Sequence, residues 1–331
     1  MTGNQETIKE IERALDSKNV KKLREIAFWP GGFQNNDVRR KVWPVLLGIR
    51  SDQQEENFQT YLQGIPEDDF RNLKYYINDP EKKKDVRRRE KTVSCIVGDI
   101  ERMGYEKDNI NKVLLAKMVT AILMKHKNLH YDQDLTDVVA VFMLVMIPNN
   151  DTTQENVQRC FNVVEKATLF YLSDFMLEKY TTSHYLILPL LRILNPQLAL
   201  PIQWAEEFQP GFSCSTSLAN WYTHDTYNTD YLVYARRFDA FLSMKSPLFP
   251  LYFCAVYLNS LSDEILKYTY IHRHDLVLFF NDDIISKKSQ NLTEDVLLQE
   301  ALQLFTQFPP EKVLHPFSYV LGLGLLALLF L

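Results

Sequence analysis

The chain has 331 residues, a hydrophobic fraction of 46% and a net charge of -5. That is enough apolar material for a sizeable core, and it offers no overall positive field for nucleic-acid binding through phosphate neutralisation. Only 10 residues are glycine and the 14 prolines are dispersed, a composition that favours long helices over turn-rich sheets. Cys95, Cys160, Cys214 and Cys254 form no CxxC pair suited to zinc and read as reduced cytosolic thiols.

The first residues, MTGNQETIKE, lack the apolar stretch of a secretory signal. Ile8, Ile11 and Leu15, then Val20, Leu23 and Ile26, predict two short helices that end at Pro30-Gly31-Gly32. Asp37 is placed to cap a helix through Trp43 that stops at Gly48. After a polar stretch, Val93, Ile96, Val97, Ile100 and Met103 repeat at helical spacing, with Gly104 as the stop. This sets Arg102 on the opposite, wet face of the last turn. Val113 to Leu123 is amphipathic, and Leu135 to Ile147 is strongly apolar, with Asp132, Asp134 and Thr136 near its start as caps.

Pro148-Asn149-Asn150-Asp151 is the clearest break and divides residues 31–150 from 151–312, with 1–30 ahead of both. Further helices are expected at Val157–Phe175, His184–Leu194, Leu198–Phe208, Ser217–Tyr222, Tyr231–Met244, Leu248–Leu261, Ile265–Phe280 and Val296–Phe308. No fixed-period repeat is visible, which argues against a solenoid. The expected architecture is all-α, two packed helical subdomains with a surface groove between or across them.

The end of the chain, residues 313–331, differs in character. Pro316 to Leu331 reads PFSYVLGLGLLALLFL and carries no charge, a helix of about 24 Å at the usual rise. It is short against the roughly 20 residues that cross a bilayer. Val313 and Leu314 or a thin membrane close the gap, and Lys312 sits where a cytosolic interface would be. The expectation is a single-pass membrane anchor, the alternative a buried terminal helix. The basic run from Lys82 to Lys91 reads as a solvated face, or else as a docking surface for acidic groups. Asn291-Leu292-Thr293 fits a glycosylation sequon that would go unmodified in the cytosol. His272 and His274, at i and i+2, point to different sides of a helix and make a poor metal pair. No GxxxxGK[ST] loop or GxSxG elbow is present.

Three strings carry a family resemblance through their order and spacing. Arg39 to Trp43, RRKVW, has the form RxxxW; Ile96 to Arg102, IVGDIER, has the form IxxDxxR; Tyr131-Asp132-Gln133 has the form YxQ. With SLANWY near Trp221 and RRFDAF from Arg236, the sequence resembles the TBC family of Rab GTPase-activating proteins over roughly Gly31 to Pro310.

The resemblance implies an all-α fold of two subdomains and a Rab-type small GTPase as partner. GTP and Mg²⁺ would be carried by that partner, leaving this chain with no cofactor or metal of its own. It implies Arg102 as an arginine finger supplied in trans, an effect worth about 10³ to 10⁵ in rate for related GTPases. Gln133 would be a second finger, replacing the GTPase's own glutamine and orienting the attacking water. Ile96, Asp99 and Tyr131 would support the fingers, while Arg39 and Trp43 would be fold determinants. On periodicity alone Arg102 reads as a cation closing its own helix and paired with Asp99, and Gln133 as a polar first-turn residue.

One position departs from the family, which usually has glycine after this glutamine. Asp134 stands there, where a carboxylate costs backbone freedom and would repel a triphosphate unless turned away as a cap. Asp134 thus argues for the alternative, a non-catalytic, Rab-binding helical adaptor. The resemblance as a whole makes an activator on the cytosolic face of endoplasmic reticulum or Golgi membranes the leading expectation, in line with the tail-anchored branch of the family.

Overall fold

The computed structural model describes residues 4–50, 56–65, 67–70, 93, 95–101, 110–177, 187–208, 218–223, 230–268 and 293–314. Among the described residues there is no strand. Thirteen helices are named here: α1 Gln5–Asp16, α2 Val20–Ile26, α3 Asn36–Leu46, α4 Lys112–Lys125, α5 Leu135–Met146, α6 Gln154–Ala167, α7 Ile187–Leu194, α8 Pro196–Phe208, α9 Tyr231–Ser243, α10 Phe249–Ser260, α11 Ser262–Tyr268, α12 Glu294–Gln307 and α13 Pro310–Leu314. A further helical stretch covers residues 95–101. Several helices start at asparagine. The side chains of Asn4, Asn19, Asn35 and Asn111 accept from backbone N–H groups of their first turns, satisfying donors that lack an intrahelical partner. Asn35, rather than Asp37, therefore caps α3, while Asp37 pairs with Arg40 inside the first turn.

The chain forms two compact units, Met1–Thr181 with Ala219–Pro247, and Thr182–Leu218 with Leu248–Leu331. The break at Pro148–Asn150 is a 3-10 turn inside the first unit, with Asn149 and Asn150 in the left-handed region. The first unit also takes in α1 and α2 and, from much later in the chain, α9. Its centre is α5, which packs on α3, α4, α6 and α9. All of α5 except Leu144 is buried, as expected of a helix that is apolar on every side. Its Phe142 ring meets those of Trp43, Trp221 and Phe238, with Trp221 edge-on to Phe238 at 4.8 Å.

The second unit is built on α10, which packs against α7, α11 and α12, while α8 lies against α7 and α11. Tyr252 in α10 donates its hydroxyl to the carbonyl of Phe308 at 2.7 Å, fixing the end of α12. The expected Val157–Phe175 helix changes pitch part-way. α6 gives way to a π turn at Thr168–Leu172 and a 3-10 turn at Ser173–Met176. Among the described residues no helix is long and apolar enough to cross a membrane. The apolar tail from Pro316, the basic run at 82–91 and the His272–Asp275 group lie outside the described residues.

Candidate functional site

The RxxxW string explains itself in the first unit. Arg39 and Trp43 are one helical turn apart, so both side chains leave α3 on the same face. They meet a single carboxylate, Asp239 of α9. Arg39 donates from Nε at 3.0 Å to Oδ1 and from Nη2 at 3.0 Å to Oδ2. The Trp43 indole N–H reaches Oδ1 at 2.9 Å, and the backbone N–H of Phe33 reaches Oδ2 at 3.1 Å. Asp239 and Trp43 are fully buried. A buried carboxylate is tolerated only when its lone pairs are occupied in this way. Gly32, with φ +53, comes so close that a Cβ there would lie 2.7 Å from Asp239 Oδ2. Pro30-Gly31-Gly32 therefore does more than end a helix: it lets the chain pass over the Arg39–Asp239 pair.

A second constrained turn brings SLANWY to the same core. Trp221 and Tyr222 have φ of 51 and 62, a region bulky residues rarely adopt. Asn220 stabilises it by accepting from Tyr222 N at 2.8 Å and Thr223 N at 3.0 Å, and Arg237 donates to the Tyr222 carbonyl at 2.9 Å. The RRFDAF segment thus supplies both a carboxylate for α3 and a cation for this turn.

The other two strings meet. In the 95–101 stretch, Ile96 and Ile100 point inward and are buried, as is Val97. Asp99 is half-buried and accepts the Tyr131 hydroxyl at 2.6 Å. Burial, reinforced by the hydrogen bond to Asp99, drives the Tyr131 phenol far above its ordinary pKa, so it stays a donor. Arg102 lies outside the described residues.

Past Tyr131 the chain turns into α5. Asp132 Oδ1 accepts from Asp134 N at 3.0 Å, and the Thr136 hydroxyl donates to the Gln133 carbonyl at 2.8 Å. Gln133 is exposed just ahead of the first turn of α5. Asp134 is buried, has φ -66 and ψ -21, and makes no capping bond through its side chain. Its conformation is ordinary right-handed backbone, so no glycine is required here. Asp132 and Thr136, on either side, do the local bonding expected of Asp134.

Asp132 has its carboxyl pKa raised, first by burial and then by the nearby Asp99 charge, against the opposing pull of the Asp134 N–H. Cys160 is fully buried, and burial pushes its thiol pKa well up, as befits an inert core residue. Two adjoining cavities, of about 230 and 440 Å³, share Asn111, Leu114 and Thr152 at the N-terminal ends of α4 and α6; Gln133 lines neither. Among the described residues no group of three or more His, Cys, Asp or Glu side chains is arranged to hold a metal ion.

The family model described as the Rab-GTPase-TBC domain matches residues 36–266, a stretch containing all three strings. The chain belongs to the Rab-GTPase-TBC domain family. It is 30% identical over 312 residues to TBC1 domain family member 20 of Homo sapiens, covering 92% of this chain and 68% of that protein. It is also 30% identical over 186 residues to the GTPase-activating protein GYP8 of Saccharomyces cerevisiae, covering 51% of this chain and 33% of the relative. The crystal structure of the Ypt/Rab-GAP domain of Gyp1p shares the fold, with a TM-score of 0.65 at 18% identity, covering 92% of this chain and 98% of that one.

Within this TBC domain, reading the sequence missed Asp239 as the acceptor for RxxxW. The one clue was an acidic residue inside RRFDAF, a segment otherwise rich in aromatic and basic side chains. It also missed Glu165, a buried carboxylate in the helix that flanks the YxQ loop. Nothing in its immediate sequence marks Glu165 as different from a surface glutamate.

Proposed function

We propose that this TBC domain accelerates GTP hydrolysis by a Rab-type GTPase, with Arg102 and Gln133 entering the partner's nucleotide site in trans. A small GTPase hydrolyses GTP slowly when nothing neutralises charge on the transferring phosphoryl group or holds water in line. A guanidinium forks two phosphate oxygens, and an amide both donates to and accepts from water. The supporting observation is the 2.6 Å bond from Tyr131 to Asp99. It joins the string ending in Arg102 to the string ending in Gln133, although the two lie far apart in the chain. The exposure of Gln133 and the burial of Asp134 favour an amide available to a partner, with the adjacent carboxylate withdrawn.

Single-turnover phosphate release across a panel of Rab-type GTPases tests this. The wild-type protein should accelerate at least one of them, and Arg102→Lys should abolish most of the gain while complex formation persists. Equal rates for wild type and Arg102→Lys would instead favour the adaptor that binds without catalysis. We further propose that the apolar tail holds the protein on the cytosolic face of endoplasmic reticulum or Golgi membranes. Removal of residues 316–331 should release it into the soluble fraction, and continued sedimentation with membranes would contradict the anchor.

A further inference from the structure

We infer that Glu165 is a positioning residue for Gln133, holding the loop 126–134 so that the amide is presented in one register; the inference rests on the role proposed above for Gln133. Glu165 is 5% exposed and lies near the end of α6. Its Oε1 is 2.6 Å from His126 Nε2 and 2.7 Å from Lys125 Nζ, and its Oε2 is 3.0 Å from the same ammonium. Lys125 is the last residue of α4 and His126 its C-cap. The carboxylate therefore grips the point where a helix becomes the glutamine loop.

The same stretch of chain grips the loop again. Beyond Glu165, α6 continues through the π turn to Met176, whose carbonyl accepts from His130 N at 2.6 Å. A π turn shifts the helical register of the residues after it, and such turns often mark functional positions. Between the two grips, Leu129 is buried and its N–H bonds to the His126 carbonyl at 2.9 Å. The next residue after His130, Tyr131, is held by Asp99. Loop entry, midpoint and exit are thus each fastened before the chain reaches Gln133.

A buried carboxylate is a costly way to pack a helix, and an apolar side chain of similar size would do as well or better for stability alone. What the carboxylate adds is direction, through bonds to two consecutive residues. The surrounding groups reinforce it. The Lys125 ammonium stands 5.2 Å from the Tyr61 ring and 5.9 Å from the Phe161 ring, and the Tyr61 hydroxyl donates to Glu56. Burial works against the Lys125 charge, but Glu165 and, after it, the Tyr61 phenol together outweigh burial and leave its pKa raised.

A double-mutant cycle on the full chain tests the inference. With a responsive Rab-type GTPase, Glu165→Gln should lower the saturated single-turnover rate about tenfold, the scale expected when a reacting group is displaced by a fraction of an ångström. The half-saturating concentration should stay within about twofold, since docking surfaces are untouched. In a Gln133→Ala background the same change should cost nothing further. His126→Ala, which keeps the Lys125 arm, should give a smaller loss with the same coupling, and decides the matter if Glu165→Gln does not fold. Additive losses, an unchanged saturated rate, or an effect confined to half-saturation or to the thermal midpoint would overturn the positioning role. If Gln133→Ala alone left the rate unchanged, the role of Gln133 would fall, and this inference with it.

Discussion

At the scale of single residues, the environment of a carboxylate decides what it does. Three acids cluster around the YxQ string, and each is treated differently. Asp99 accepts a tyrosine hydroxyl, Asp132 accepts a backbone N–H, and Asp134 is buried in ordinary helical backbone. Because the folded-state pKa of Asp132 is raised, the fold favours its protonated form. That contribution is fully present below the ordinary carboxylate pKa near ~3.9 and is lost as pH rises through the raised value. Ionised Asp132 is therefore a cost at neutral pH. Asp132→Asn keeps the acceptor for Asp134 N and removes the charge, so its chemical-denaturation midpoint should exceed that of the wild type at pH 7. The difference should close as pH falls toward about 4. A gap that widened in acid would show that the sign is wrong.

At the scale of elements, the family strings turn out to be joints between helices. RxxxW is the face of α3 that meets Asp239 of α9, two elements separated by about two hundred residues of chain. Breaking a buried pair by removing one charge typically costs about 3 to 5 kcal/mol, because the other charge is stranded. Asp239→Asn should lower the stability of the first unit by that order in equilibrium denaturation. A loss under about 1 kcal/mol would mean that solvent reaches Arg39 after all.

Most of the helices were legible in the sequence because their apolar spacing is local, but the helix expected over Ser217–Tyr222 gives way to a turn with Trp221 and Tyr222 in the left-handed region. The helix expected over Val113–Leu123 is α4, although it is buried on nearly every side rather than along one stripe. The cap of α3 was misplaced by two residues because Asn35 and Asp37 are both good caps, and only backbone geometry chooses between them. The π turn after α6 was not legible, since Thr168 to Leu172 is a mostly apolar run with no glycine or proline, which continues a helix as readily as it changes its pitch.

At the scale of the whole molecule, helical periodicity and sparse glycine were sufficient for the all-α class, whereas the grouping of helices was not. Pro148–Asn150 reads as a boundary because proline and asparagine punctuate a chain, yet the compact unit continues through it to Thr181 and regains residues 219–247. The cause is long-range: α9 supplies the carboxylate that α3 needs, and no local pattern advertises that pairing. The family was legible as strings, through the order of RxxxW, IxxDxxR and YxQ. The meeting of the last two strings through Tyr131 and Asp99, and the bonds from Glu165 to Lys125 and His126, required three dimensions.

The most direct measurement uses a Rab-type GTPase whose own catalytic glutamine has been changed to alanine. If Gln133 supplies the missing amide, wild-type protein should still accelerate single-turnover GTP hydrolysis by this crippled partner, and Gln133→Ala should remove nearly all of that acceleration. Loss of acceleration with the crippled partner, or acceleration that Gln133→Ala leaves intact, would contradict the account.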